Sequence, residues 1–315
     1  MVVMVVAAAI LYFVLLVLSD LSEVAAAAVR FKWLYLIPAL ALAAGNYLVR
    51  SERWHAYLKE VGLGLPRRKS YWLFLSGLSM SITPVKAGEA LKALLLRLEN
   101  GAQVERGVAV VFAERMSDMT GMVLLIGIGS FALSYSLVPL SLVVVVMGAI
   151  LLVLSSERAS GRVVRTLKSR KRLSGIGAMI EGALRDARQL LTGWNLVKGT
   201  LFGAAAWALE CVAFFLIAVG CRIEVGLLEC IFIYAFSSVV GAISMLPGGM
   251  GTTEATMVGL LIALSVIAPV ASFAVIVTRM CTLWFAVVVG TPFVLTYMSR
   301  SREAKAAWFD DQLVS

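Results

Sequence analysis

Apolar positions run along this chain in long blocks rather than in the spaced stripes of a water-soluble helix. Blocks at 2–18, 31–50, 105–133, 136–154, 196–220 and 268–298 each approach or exceed the ~20 residues that cross a bilayer as a helix. Helix is the state they predict, because an open strand leaves backbone groups unsatisfied in hydrocarbon. Two further apolar regions, 71–98 and 226–266, are interrupted by proline and glycine. The first interruption reads Ser81-Ile82-Thr83-Pro84-Val85-Lys86-Ala87-Gly88-Glu89, the second Leu246-Pro247-Gly248-Gly249-Met250-Gly251-Thr252-Thr253-Glu254. Each divides its region into two segments short for a crossing. Proline ends one helix and suits the first turn of the next. The pattern predicts an all-α polytopic membrane protein with six full spans and two broken re-entrant hairpins; two full crossings per interrupted region would give the same loop parity.

Composition agrees with a bilayer setting. Of 315 residues 61% are hydrophobic and 15% charged, against roughly 45–50% and 25% in soluble domains. A soluble enzyme and a disordered chain are both excluded. The net charge of +9 resides largely in two stretches. Residues 50–70 hold six basic side chains and 155–195 hold nine, whereas 19–29 and 223–229 hold none. The positive-inside rule places 50–70, 155–195 and both termini in the cytoplasm of a cell (plasma or inner) membrane. His55, the only histidine, falls in the first of these and reads as solvated. The 155–195 segment, basic then amphipathic, predicts a linker on the inner membrane surface or a docking site for a cytosolic enzyme.

The two interrupted regions also match each other. Serine stands three residues before proline in both, Glu-Ala follows in both (Glu89-Ala90, Glu254-Ala255), and Arg-Met follows in the next span (Arg115-Met116, Arg279-Met280). Proline and arginine are 31 residues apart in one copy and 32 in the other. With loop parity this predicts an inverted repeat of about 31–133 and about 196–298 in a single membrane domain, the arrangement of many transporters.

Charge inside such a bundle is costly, at least ~2.5–3.5 kcal/mol per residue at the helix centre. Arg115, Asp118 and Glu114 lie deep in 105–133, Arg279 in 268–298 and Glu210 in 196–220. Lys86, Arg115 and Arg279, with the helix starts after Pro84 and Pro247, predict a site for an anion, phosphate above all. Gly88, Gly248, Gly249 and Gly251 let backbone approach it. Glu89 and Glu254 either balance the cations or act as first-turn acids of their own helices. Cys211, Cys221, Cys230 and Cys281 form no CxxC, so no metal site is expected. No G-x-x-x-x-G-K-[ST] occurs, and neither a cofactor nor nucleic acid is an expected partner.

These three motifs, S-x-T-P-x-K-A-G-E at 81–89, E-R-M-S-D at 114–118 and L-P-G-G-M-G-T-T-E at 246–254, resemble the lysylphosphatidylglycerol synthetase transmembrane-region family across nearly the whole chain. The first departs from the family's commoner P-G-x-x-G-E at Val85 and Lys86. The resemblance implies a lipid flippase rather than an enzyme; the residues add an anionic phospholipid or polyprenyl-phosphate carrier moved between leaflets, its phosphate held by Lys86, Arg115 and Arg279. The rival expectations are an intramembrane lipid-modifying transferase and a membrane partner of a separate cytosolic enzyme.

Overall fold

The computed structural model describes residues 21–82, 90–131, 148, 183–297 and 299, all in helices and the turns between them. The expected spans 2–18 and 136–154, and the linker up to residue 182, lie outside the described residues. Helix α1 (Leu21–Arg30) and helix α2 (Leu36–Glu60) are separated by a short 3₁₀ turn, Trp33–Tyr35, and bent by 75° to each other. Helices α3 (Arg67–Leu78) and α4 (Ala90–Asn100) flank the first interruption, and α5 (Val104–Ser130) follows. The second set repeats this order: α6 (Gly193–Gly220), α7 (Leu227–Ile243), α8 (Thr252–Ala263) and α9 (Ala268–Tyr297).

Among the described residues two helices, α6 and α9, are long and apolar enough to cross a membrane, and the bent α1–α2 pair makes a third candidate. α5 has 27 residues, enough for about 40 Å at 1.5 Å per residue, but it carries five charged side chains from Glu105 to Asp118. The arms of the two interrupted regions have 12, 11, 17 and 12 residues. All fall below the ~20 residues of a full crossing.

Packing is reciprocal between the two sets. α2 and α6 lie side by side, tied by Asn46 Nδ2 donating to the Ala206 carbonyl at 2.8 Å. α3 packs on α4 and α4 on α5; likewise α7 on α8 and α8 on α9. Exchange contacts run both ways. A Cβ on Gly129 of α5 would stand 2.6 Å from the Phe232 nitrogen and 2.8 Å from the Leu228 oxygen of α7. One on Gly290 of α9 would stand 2.8 Å from the Leu75 oxygen of α3. Backbone cannot yield as a side chain tip does. Gly290→Ala is therefore expected to destabilise by about 1–3 kcal/mol through overpacking. Thermal unfolding in detergent measures this; an unchanged midpoint would show that α3 and α9 separate freely.

Three expectations change here. The block at 31–50 is no self-contained span: α2 continues to Glu60, because no glycine or proline intervenes between Gly45 and Gly62. Arg50, Arg53 and His55 are accordingly buried, not solvated in a loop. The end of the 155–195 linker does not lie apart on a membrane surface either. Residues 183–190 are helical, with Asp186, Ala187 and Leu190 buried. Arg106 donates to Asp186 at 2.7 Å and also to the Val61 carbonyl, and Gln189 donates to the Glu60 carbonyl at 2.8 Å.

Candidate functional site

The second interruption forms a tight tip between α7 and α8. Its chain turns through positive φ at Met245, Gly248, Gly249 and Gly251, with values of 55°, 59°, 67° and 90°. At Gly249 the demand is also for space: a Cβ there would meet Thr253 Oγ1 at 2.7 Å and Gly241 of α7 at 3.1 Å. Ser244 Oγ accepts from Thr252 Oγ1 at 3.0 Å and donates to the Gly241 carbonyl at 2.7 Å, stapling the arms together.

Glu254 fills the start of α8. One carboxylate oxygen accepts the Gly251 amide at 2.8 Å and the other accepts Arg279 Nε at 2.7 Å. Arg279 Nη2 also donates to the Gly248 carbonyl at 2.6 Å. Glu254 is fully buried and Arg279 nearly so. The two readings of Glu254 thus hold together: it caps its own helix and neutralises the arginine. A carboxylate at a helix start uses the same donors that would greet a free anion.

The predicted residues of the first interruption, Pro84, Lys86, Gly88 and Glu89, lie outside the described residues. Its described edge is nevertheless informative. The Cα of Ile82 lies 3.7 Å from where a Cβ on Gly248 would stand. The chain entering the first interruption therefore touches the tip of the second.

Arg115 and Asp118 do form the predicted i,i+3 pair, at 3.0 Å, but as part of a larger cluster. Asp118 also binds Arg53 at 2.6 Å and faces Arg50 at 3.5 Å. Glu114 takes Lys92 Nζ at 2.5 Å and lies 4.0 Å from Arg53. Among the described residues, four cationic side chains from α2, α4 and α5 thus meet two carboxylates of α5. Lys92 sits over the rings of Trp54 and Phe74, at 4.8 and 4.9 Å from their centroids. Its alkyl stem crosses Gly77 of α3, where a Cβ would meet Lys92 Cγ at 2.6 Å. Arg53 is fully buried, and its Nε and Nη1 have no hydrogen-bond partner among the described residues. Arg115 stands at the rim, its side chain 20% exposed.

Arg50, Arg53 and Lys92 are absent from the sequence expectation. A signal for Arg50 exists: Ala43, Tyr47, Arg50, Trp54 and Tyr57 recur at helical spacing on one face of α2. Glu210, also predicted deep in a span, accepts the Tyr234 hydroxyl at 2.6 Å. Among the described residues no group of three His, Cys, Asp or Glu side chains is placed to hold a metal ion.

Residues 2–290 match the family described as lysylphosphatidylglycerol synthase TM region. Three relatives are similar to this chain over different extents. Two described as UPF0104 membrane protein come from Methanothermobacter thermautotrophicus. One is 25% identical, covering 88% of this chain and 87% of its own length; the other is 24% identical, covering 81% and 83%. A UPF0104 membrane protein of Methanocaldococcus jannaschii is 25% identical over 58% of this chain and 77% of its own length.

Proposed function

From the premise that the chain belongs to the lysylphosphatidylglycerol synthase TM region family, as an integral membrane protein, we propose that it carries an anionic lipid head group between leaflets. The observation that carries this reading is the meeting of the two interruptions, Ile82 against Gly248. Broken segments that meet inside a bundle leave backbone and polar groups available where a passing head group needs them. The reciprocal packing of α2–α5 and α6–α9 supports an inverted repeat, with α3–α4 and α7–α8 as re-entrant hairpins.

The phosphate takes its contacts from the α2–α4–α5 cluster. Arg115 at the rim meets it first, and the spare donors of Arg53 receive its oxygens if the cluster opens. Guanidinium suits this task because its fork matches two phosphate oxygens. Asp118 and Glu114 hold the cations in place when no head group is present. Acyl tails remain in lipid throughout. Lys86 and Glu89 complete the site in this reading, with both chain termini cytoplasmic.

Reconstitution tests it. Purified protein in vesicles of phosphatidylcholine with labelled phosphatidylglycerol is expected to expose inner-leaflet label to an external quencher at least tenfold faster than empty vesicles. Arg115→Ala is expected to remove most of that gain. Exchange no faster than in empty vesicles, across phosphatidylglycerol and polyprenyl phosphate alike, would sink the proposal. A chemically altered head group seen by mass spectrometry would replace it with a transferase.

A further inference from the structure

Helix α9 is gripped by both hairpins at once. Its first half holds the second hairpin, through Arg279 to Glu254 and to the Gly248 carbonyl. Its last half lies on the first hairpin. Gly290 sits against Leu75 and Ser79, Phe293 meets Trp72 edge-on at 4.9 Å, and the Tyr297 hydroxyl donates to Glu99 at 2.6 Å. The same Glu99 carboxylate binds Lys69 of α3 at 2.8 Å.

Between the two grips the helix changes type. Met280–Trp284 is a π turn, beginning one residue after Arg279. Such a turn accommodates one surplus residue, loosens the regular hydrogen-bond ladder, and is frequent at functional positions. The Thr282 carbonyl in this turn accepts the Tyr47 hydroxyl of α2 at 3.0 Å. Thr278 and Thr282 bond back to carbonyls four residues earlier, at 2.7 and 2.9 Å, a contact that bends helices. Leu283 of the turn lies 3.1 Å from where a Cβ on Gly248 would stand, so the turn also abuts the second tip. Helix α5, the counterpart of α9, runs from Val104 to Ser130 as one α-helix.

We infer that the π turn Met280–Trp284 is the hinge on which the two hairpins move against each other, with Tyr47 as its positioning residue. The proposed transport gives this motion its purpose, but the motion is measured separately. A bend of about 20° over the 13 residues from 285 to 297, an arm of about 20 Å, moves its end by about 7 Å.

Spin labels at Leu98→Cys of α4 and Ile262→Cys of α8, both exposed positions, report the spacing of the hairpins. The native cysteines are first replaced by alanine, and the protein is placed in phosphatidylglycerol vesicles. Pulsed dipolar spectroscopy is expected to show two distances at least about 5 Å apart, given that arm. Deleting Met280 removes the surplus residue while keeping both halves of α9 in register, and should leave one distance. Tyr47→Phe keeps the helix and should change the ratio of the two populations. A single narrow distance in the parent protein, in phosphatidylglycerol and phosphatidylcholine vesicles alike, overturns the hinge. So do two distances unaltered by both changes. Two distances that respond to these changes, without lipid exchange, uphold the hinge and remove transport; exchange with a single distance does the reverse.

Discussion

Asp118→Ala is expected to cost about 3–5 kcal/mol of stability, the range for removing one partner of a buried ion pair. Its carboxylate is 2% exposed and lies 2.6 Å from Arg53, 3.0 Å from Arg115 and 3.5 Å from Arg50. Without it, Arg53 retains among the described residues only Glu114, 4.0 Å away and already bound to Lys92. The loss is therefore larger than that of a single bond. Thermal unfolding in detergent measures it, with Glu52→Gln as the control. Glu52 pairs with Arg67 at 2.6 Å, but that arginine is 68% exposed, so its pair is worth little. A shift no larger than the control would mean that the cluster is open to water. A double-mutant cycle with Arg53→Met supplies the sign: the pair of changes should cost less than their sum, because the orphaned guanidinium is removed with its partner.

Arg279→Ala is expected to be comparably severe, about 3–5 kcal/mol, for a different reason. It takes the guanidinium from Glu254, which is fully buried, and the donor from the Gly248 carbonyl. The tip is then left with glycines at positive φ and less to hold them. Hydrogen exchange at 248–253 should rise alongside the fall in melting temperature. Arg279→Lys should recover part of the loss, because one ammonium does not reproduce a fork aimed at two oxygens. Replacing both partners, Arg279→Met with Glu254→Met, should be milder than either single change. Equal tolerance of Arg279→Ala and Arg279→Lys, with exchange unaltered, would show that this pair holds nothing in place.

The second tip was legible because its chemistry is local. Pro247 and the glycines that follow state a break, and the Glu254 that caps α8 stands three residues after Gly251. The partnership of Arg115 with Asp118 was legible for the same reason, being one helical turn long. Arg50 and Arg53 were hidden by a competing rule. Clustered basic residues after an apolar block indicate a cytoplasmic loop, and only the absence of a helix breaker before Gly62 argues otherwise. Lys92 was missed because its partners are distant in sequence: Glu114 is 22 residues away, and Trp54 and Phe74 belong to other helices. The bend between α1 and α2 had one faint sign, Pro38 in the first turn of α2.

The ionic cluster also constrains how the protein is made. α5 carries Glu114, Arg115 and Asp118 within little more than one turn and does not reach the apolarity of α6 or α9. On its own such a helix is costly to place in hydrocarbon, since each charge near its centre adds a few kcal/mol. Its counter-charges come from α2 and α4, which leave the ribosome earlier. The partners of Glu114 and Asp118 are therefore already synthesised when α5 emerges, and its carboxylates find their counter-charges only by packing against those predecessors.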